Sequence, residues 1–197
     1  MNAHPQRHSG PRGRARGTSL IESLVAILVC AFGLLGFVGL QTRSVSAEFE
    51  AFQRSQALVL LEDMVARLNA NRGDAAAYLR AQPIGAGPVA DCSAVGGAAR
   101  DVCEWANLLR GSAETRGARQ VGAMVSARGC ITRQPGSSDR YAVAVVWQGM
   151  VGTGAPRTDC GRGDGAYASE ALRRAVTSTV CVARLRDAAS PPATPRC

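Results

Sequence analysis

The chain has no lysine: all 23 of its basic residues are arginine. That excludes a P-loop lysine, Schiff-base chemistry and a Ser-Lys dyad. Its only histidines are His4 and His8. If the N-terminus is removed, no Ser-His-Asp triad, Cys-His pair or His-containing zinc site can be built. No CxxC spacing occurs among the seven cysteines, which argues against a zinc site and thioredoxin-like redox chemistry. Aromatic residues are only 5% of the chain, and no basic stripe is interleaved with them. The net charge of +8 therefore does not make a nucleic-acid footprint. Four arginines (Arg7, Arg12, Arg14, Arg16) fall in residues 1–17 with no acid beside them, and the other 19 are spread evenly among 15 acids. Charged residues make up 19% and apolar residues 46% of the 197, enough to fold one ordinary domain with additional segments.

What is present begins with a basic, Gly- and Pro-containing stretch, residues 1–17, which cannot bury a core. Leu24 to Leu40 then runs 17 residues without a charge and without proline. As a helix it spans about 25 Å, against about 30 Å of bilayer hydrocarbon, and Thr18 to Ser23 bring it to full length. The preceding basic flank keeps the N-terminus cytoplasmic and sends the rest across the membrane. Three readings compete. One is an uncleaved signal anchor. Another is a secretory signal with Val45-Ser46-Ala47 as its small-residue cleavage site. The third rests on Glu22, a carboxylate inside the apolar segment. It costs about 2.5–3.5 kcal/mol on insertion scales and so needs a functional reason and a cationic partner.

At these residues the sequence resembles a known family. Arg16-Gly17 followed by Thr18-Ser19-Leu20-Ile21-Glu22-Ser23-Leu24 is similar to the leader of type IV prepilins and type II secretion pseudopilins. The resemblance implies cleavage by prepilin peptidase between Gly17 and Thr18 and N-methylation of Thr18. It also implies that Glu22 docks against the N-terminal ammonium of a neighbouring subunit, because a buried carboxylate is tolerable when paired.

No turn signal interrupts the chain from Thr18 to Arg72. Gln41, Thr42 and Arg43 mark exit from the bilayer. Beyond them Val45, Phe49, Phe52, Val59 and Leu60 recur at helical spacing. Asn71-Arg72-Gly73 predicts the stop, with Gly73 as a left-handed cap. Gly33, Gly36 and Gly39 in the apolar run suit close helix packing, local melting, or simply the frequency of small residues in membrane helices. A Gly/Ala-rich connection, 73–120, carries one short helix over 98–109, with Val102, Trp105 and Leu109 on one face and Gly111 ending it. Three strands follow, over 120–132, 141–148 and 175–185. The loop from Pro135 to Asp139 closes the first two as a hairpin, and the Gly-rich loop 149–172 is expected to be exposed.

The run from Tyr141 to Gly149, then Cys160-Gly161, then Arg173-Arg174-Ala175-Val176, resembles the PilV-type minor pilins of type IV pilus modification. The expected fold is α+β and pilin-like: a long N-terminal transmembrane helix packed on a small antiparallel sheet. The expected organisation is a leader (1–17), a membrane half of the helix (18–43), a periplasmic half (44–73), a connection (74–120), a sheet region (121–188) and a Pro-rich tail (189–197). The expected function is that of a minor pilin in pilus assembly, held in the inner membrane with its C-terminal region in the periplasm. The implied partners are other minor and major pilins, prepilin peptidase and the inner-membrane assembly platform. No cofactor, metal or nucleic acid is called for. A minor pseudopilin of type II secretion shares the leader and stays an alternative.

An exported enzyme is the reading from a different class. It would draw on Asp159, Asp164 or the Glu62-Asp63 pair, although such carboxylates more often pair with nearby arginines. Among the cysteines, Cys30 lies in the apolar segment and behaves as a small apolar residue. Cys92, Cys103, Cys130, Cys160, Cys181 and Cys197 lie where disulfides persist. The pairings expected are Cys92–Cys103 first, then Cys130–Cys160 and Cys181–Cys197, with a cross-strand Cys130–Cys181 bond as the alternative.

Overall fold

A computed structural model of the chain describes residues 19–113, 115–117, 119–120 and 124–182. The fold is α+β, a long N-terminal helix with a small antiparallel sheet of three strands. Helix α1 runs from Ser19 to Ala70 without a break. The chain divides into two compact units, Met1–Val45 and Ser46–Cys197.

In the first unit α1 is the only element described, and from Leu20 to Val45 every side chain is exposed. Nothing in it breaks a helix except the weak propensity of Gly33, Gly36 and Gly39, and an added Cβ at any of the three would meet nothing within 4 Å. By length and composition this helix can cross a membrane, and none of its apolar window is buried within the chain.

The second unit is built on the rest of α1. Gln53, Ala57, Leu60, Leu61, Met64 and Leu68 recur at three- and four-residue steps and are buried. Helix α2, Gly97–Leu109, buries Ala98, Val102, Trp105, Ala106 and Leu109 on one face, and Gly111 at φ +80 follows its end. The indole Nε1 of Trp105 donates to the Leu60 carbonyl at 2.8 Å, so a buried donor is satisfied by a carbonyl of α1.

Two ladders follow. A short ribbon pairs β1, Thr115–Arg116, with β2, Arg119–Gln120. The main sheet has the order β3, Arg128–Arg133; β4, Arg140–Gln148; β5, Arg173–Cys181, all antiparallel. Ile131 faces Val143, and Val145 faces Val176. Period-two alternation turns Tyr141, Val143, Val145 and Trp147 of β4 into the main core. Ala144 and Val146 point to the opposite face, where they form a second small cluster with Cys160.

Four boundaries differ from the sequence expectation. Gly73 does not cap α1 in the left-handed region. The helix ends at Ala70 and the chain continues into a 3-10 helix, Arg72–Tyr78, that buries Ala75 and Tyr78. Of the expected strand over 120–132, residues 121–123 lie outside the described residues. Ser126 at φ +52 departs from strand geometry, so the regular ladder begins at Arg128, although the Val125 carbonyl still accepts the Gln148 N–H at 2.8 Å. The third strand begins at Arg173, two residues early, and its span ends at Cys181 with Val182 buried beyond it; residues 183–185 of the expected strand lie outside the described residues. The loop 149–172 is not exposed throughout: Gly149, Cys160 and Gly161 are buried. A disulfide, Cys130–Cys160, ties its middle to the outer face of β3.

Candidate functional site

Glu22 stands in the first turn of α1, exposed, among apolar side chains that are also exposed. It makes no ion pair among the described residues. Gly17 and Thr18, where the sequence places cleavage and methylation, lie outside the described residues. Cys30 is free and exposed in the same segment. Among the described residues the segment has no apolar partner. Burying it takes a bilayer, other helices or both.

In the second unit α1 has two faces. The inner one is the core described above. On the other side Phe49, Phe52 and Val59 remain exposed. Near the start of this part of α1 lies Glu50, half-buried. Its Oε1 accepts the backbone N–H groups of Met150 at 2.9 Å and Val151 at 3.2 Å, and it pairs with Arg174 Nη2 at 3.1 Å. Arg174 also donates to the Val151 carbonyl and to Thr153 Oγ1. Burial raises the Glu50 pKa, but the Val151 N–H, the Arg174 guanidinium and the Met150 N–H outweigh it and hold the carboxyl below its usual value. This arrangement fixes the start of the long loop to α1. Sequence reading missed it, since Glu50 and Arg174 lie 124 residues apart and nothing local to either names the other as partner.

A second polar cluster joins α1 to α2. Arg67 Nε donates to Asp63 at 3.0 Å, and its Nη1 donates to Asp101 at 3.0 Å and Glu104 at 2.9 Å. The Tyr78 hydroxyl donates to Asp101 and accepts from Asn71 Nδ2 at 2.6 Å. Burial, then the bond to Asp101, pushes the Tyr78 hydroxyl up to about 12.

The residues considered for acid–base chemistry fall in two places, Glu62 and Asp63 on α1 and Asp159 and Asp164 in the loop 149–172. Asp63 is held by Arg67, Asp159 pairs with Arg162 at 2.6 Å, and Asp164 lies 3.4 Å from Arg128. Glu62 is exposed on α1. Asp159 and Asp164 both line one cavity of about 580 Å³, but each is paired with an arginine, and neither Glu62 nor Asp63 lines it.

Of the cysteines, Cys92 and Cys103 are bonded, with Cα atoms 5.8 Å apart. Cys130 and Cys160 are bonded at 5.7 Å. The alternative Cys130–Cys181 bond is thereby ruled out. Cys181 is itself disulfide-bonded, and its expected partner Cys197 lies outside the described residues. Both described bridges flank the sheet or α2 rather than the apolar segment.

Residues 39–103 match a family model: Tt1218-like, described as type IV pilin Tt1218. The match supports a type IV pilin family. It starts inside the apolar segment, covers all of α1 that packs in the second unit and ends at Cys103 in α2. No curated protein matches the chain, and no solved structure does. The pilin match fits a structural role in a pilus and a membrane-anchored, pilus-associated protein. The long exposed apolar helix is consistent with the same placement.

Proposed function

We propose that this chain is a minor type IV pilin of the PilV-like kind. Prepilin peptidase removes residues 1–17 by cutting between Gly17 and Thr18, and Thr18 is then N-methylated. The mature chain waits in the inner membrane with Ser46 onward in the periplasm, and it enters pilus assembly beside other minor and major pilins at the assembly platform. The observation that carries this reading is α1 itself. One stretch of it is wholly apolar and exposed, and the next is the core helix of a disulfide-bonded α+β unit, with residues 39–103 matching a pilin model. An oxidised unit on one end of a membrane helix suits an exported location.

Intact-mass analysis of the chain extracted from membranes tests the processing. The expected result is loss of residues 1–17 and one added methyl group on Thr18. A chain starting at Glu48 would establish an ordinary secretory signal, and an uncleaved chain a signal anchor; either would overturn the proposal. Loss of piliation on deletion, with protein export intact, separates this role from that of a type II secretion pseudopilin.

A further inference from the structure

Arg110 and Arg128 line one cleft of about 480 Å³, together with Gly85, Gly87, Ser126 and Ala127. Among the described residues no Asp or Glu lines it. Arg110 follows directly on α2. Its Nη1 donates to Asn107 Oδ1 at 2.9 Å and its Nη2 to the Ala86 carbonyl at 2.6 Å, both neutral acceptors. Its Nε is buried and unpartnered among the described residues. Arg128 donates to the Ala127 carbonyl at 2.9 Å, and its carboxylate contact is the 3.4 Å approach of Asp164 to Nε. Two cations thus share a small space, with Asp164 as the carboxylate paired to Arg128 and none paired to Arg110 among the described residues. Burial, then repulsion from Arg128, lowers the Arg110 pKa. The wall at Gly87 is open: an added Cβ there would meet nothing within 4 Å.

Guanidinium groups present planar N–H forks that match carboxylate and phosphate oxygens, and a pair without an acid between them is an arrangement that an oxyanion completes. We propose that this cleft binds a small oxyanion, a carboxylate or a phosphate group, held by the guanidinium groups of Arg110 and Arg128. The group can come from a free ion or from a larger molecule that carries it. The site lies wholly within the second unit and does not depend on whether the chain is a pilin.

Ser126 makes a clean test possible. It lines the cleft at φ +52, a conformation that Asn and Asp adopt more readily than Ser. Ser126→Asp places a carboxylate beside both arginines and should fill the site from within. Ser126→Asn has the same shape without the charge. The full chain in neutral detergent at low ionic strength would be titrated calorimetrically with inorganic phosphate and, separately, with acetate. Wild type and Ser126→Asn should bind at least one of the two ions. Ser126→Asp and Arg110→Gln should bind it about tenfold more weakly or worse, the size of a lost charge-assisted bond. Tighter binding of phosphate than acetate would assign the site to phosphate groups, and the reverse to carboxylates. No binding of either ion by wild type would overturn the proposal. So would equal binding by Ser126→Asp and Ser126→Asn, since the ion would then sit on other arginines. The Ser126 pair keeps the test open if Arg110→Gln fails to fold.

Discussion

Gly129 of β3 faces the six-membered ring of Trp105, and a Cβ added there would lie 2.1 Å from the ring carbon Cη2 and 2.9 Å from Leu109 Cδ1. Its backbone is extended, so what the site requires is space, not a left-handed φ. Trp105 cannot yield, because its indole is anchored to Leu60 and it is fully buried. Gly129→Ala should therefore destabilise the second unit by about 1–3 kcal/mol or more, through overpacking. Denaturant unfolding of the full chain in detergent, followed by Trp fluorescence, checks it. Gln53 is the opposite case. It is 1% exposed on the core face of α1, and neither amide atom has a partner among the described residues. A buried amide without hydrogen bonds costs about 1–3 kcal/mol. Gln53→Met keeps the length and helix propensity and removes the polar atoms, so it should raise stability by about 1 kcal/mol or more. An unchanged or lower unfolding midpoint would mean that the amide is hydrated or bonded in solution. Neither residue could be singled out from sequence, since each depends on what lies opposite it in the folded core.

The junction of α1, α2 and the 3-10 helix Arg72–Tyr78 rests on charge as well as packing. The raised Tyr78 pKa has a definite consequence for stability. A group whose folded value lies above its usual 10.0 contributes fully below pH 10 and loses that contribution as pH rises through about 12. Asp101→Asn removes a carboxylate that raises this value. Phenolate absorbance during an alkaline titration should then show one of the three tyrosines ionising at lower pH than in wild type. Identical titration curves would show that Asp101 does not govern Tyr78. At this scale the sequence was readable wherever one face repeats. The alternation of Tyr141, Val143, Val145 and Trp147 marks β4, and Val102, Trp105 and Leu109 mark α2. It was unreadable where geometry interrupts a pattern of the right composition. Residues 120–132 look continuous, yet Ser126 at φ +52 breaks the run before β3. Gly73 resembles a helix cap, but α1 ends at Ala70 and Tyr78 draws the following 3-10 turn into the core.

For the whole molecule, the long apolar helix was legible because its signal is consecutive, an uninterrupted apolar run within the first forty residues. The Glu50–Arg174 pair and the Arg110–Arg128 cleft were not, because folding alone brings those residues together. The pilin reading makes Glu22 the point where one molecule meets the next. Within a single chain the carboxylate already gains from the positive end of the α1 dipole, a modest term in the first turn. On that reading, cleavage would expose an ammonium at Thr18, and in an assembly that of an adjacent subunit would supply a full opposite charge away from water. Breaking such a pair by removing one partner costs about 3–5 kcal/mol. Glu22→Ala deletes a charge from the apolar segment, so membrane insertion should be unchanged or improved. It lies outside the second unit, so the Cys92–Cys103 and Cys130–Cys160 bridges should form as before. Association with partner pilins should fall, and pilus assembly with it. Co-purification of partner pilins with wild type and Glu22→Ala, at matched membrane levels, measures this. Undiminished partner recovery together with normal piliation would remove Glu22 from any docking role and leave its place in the apolar segment without a function.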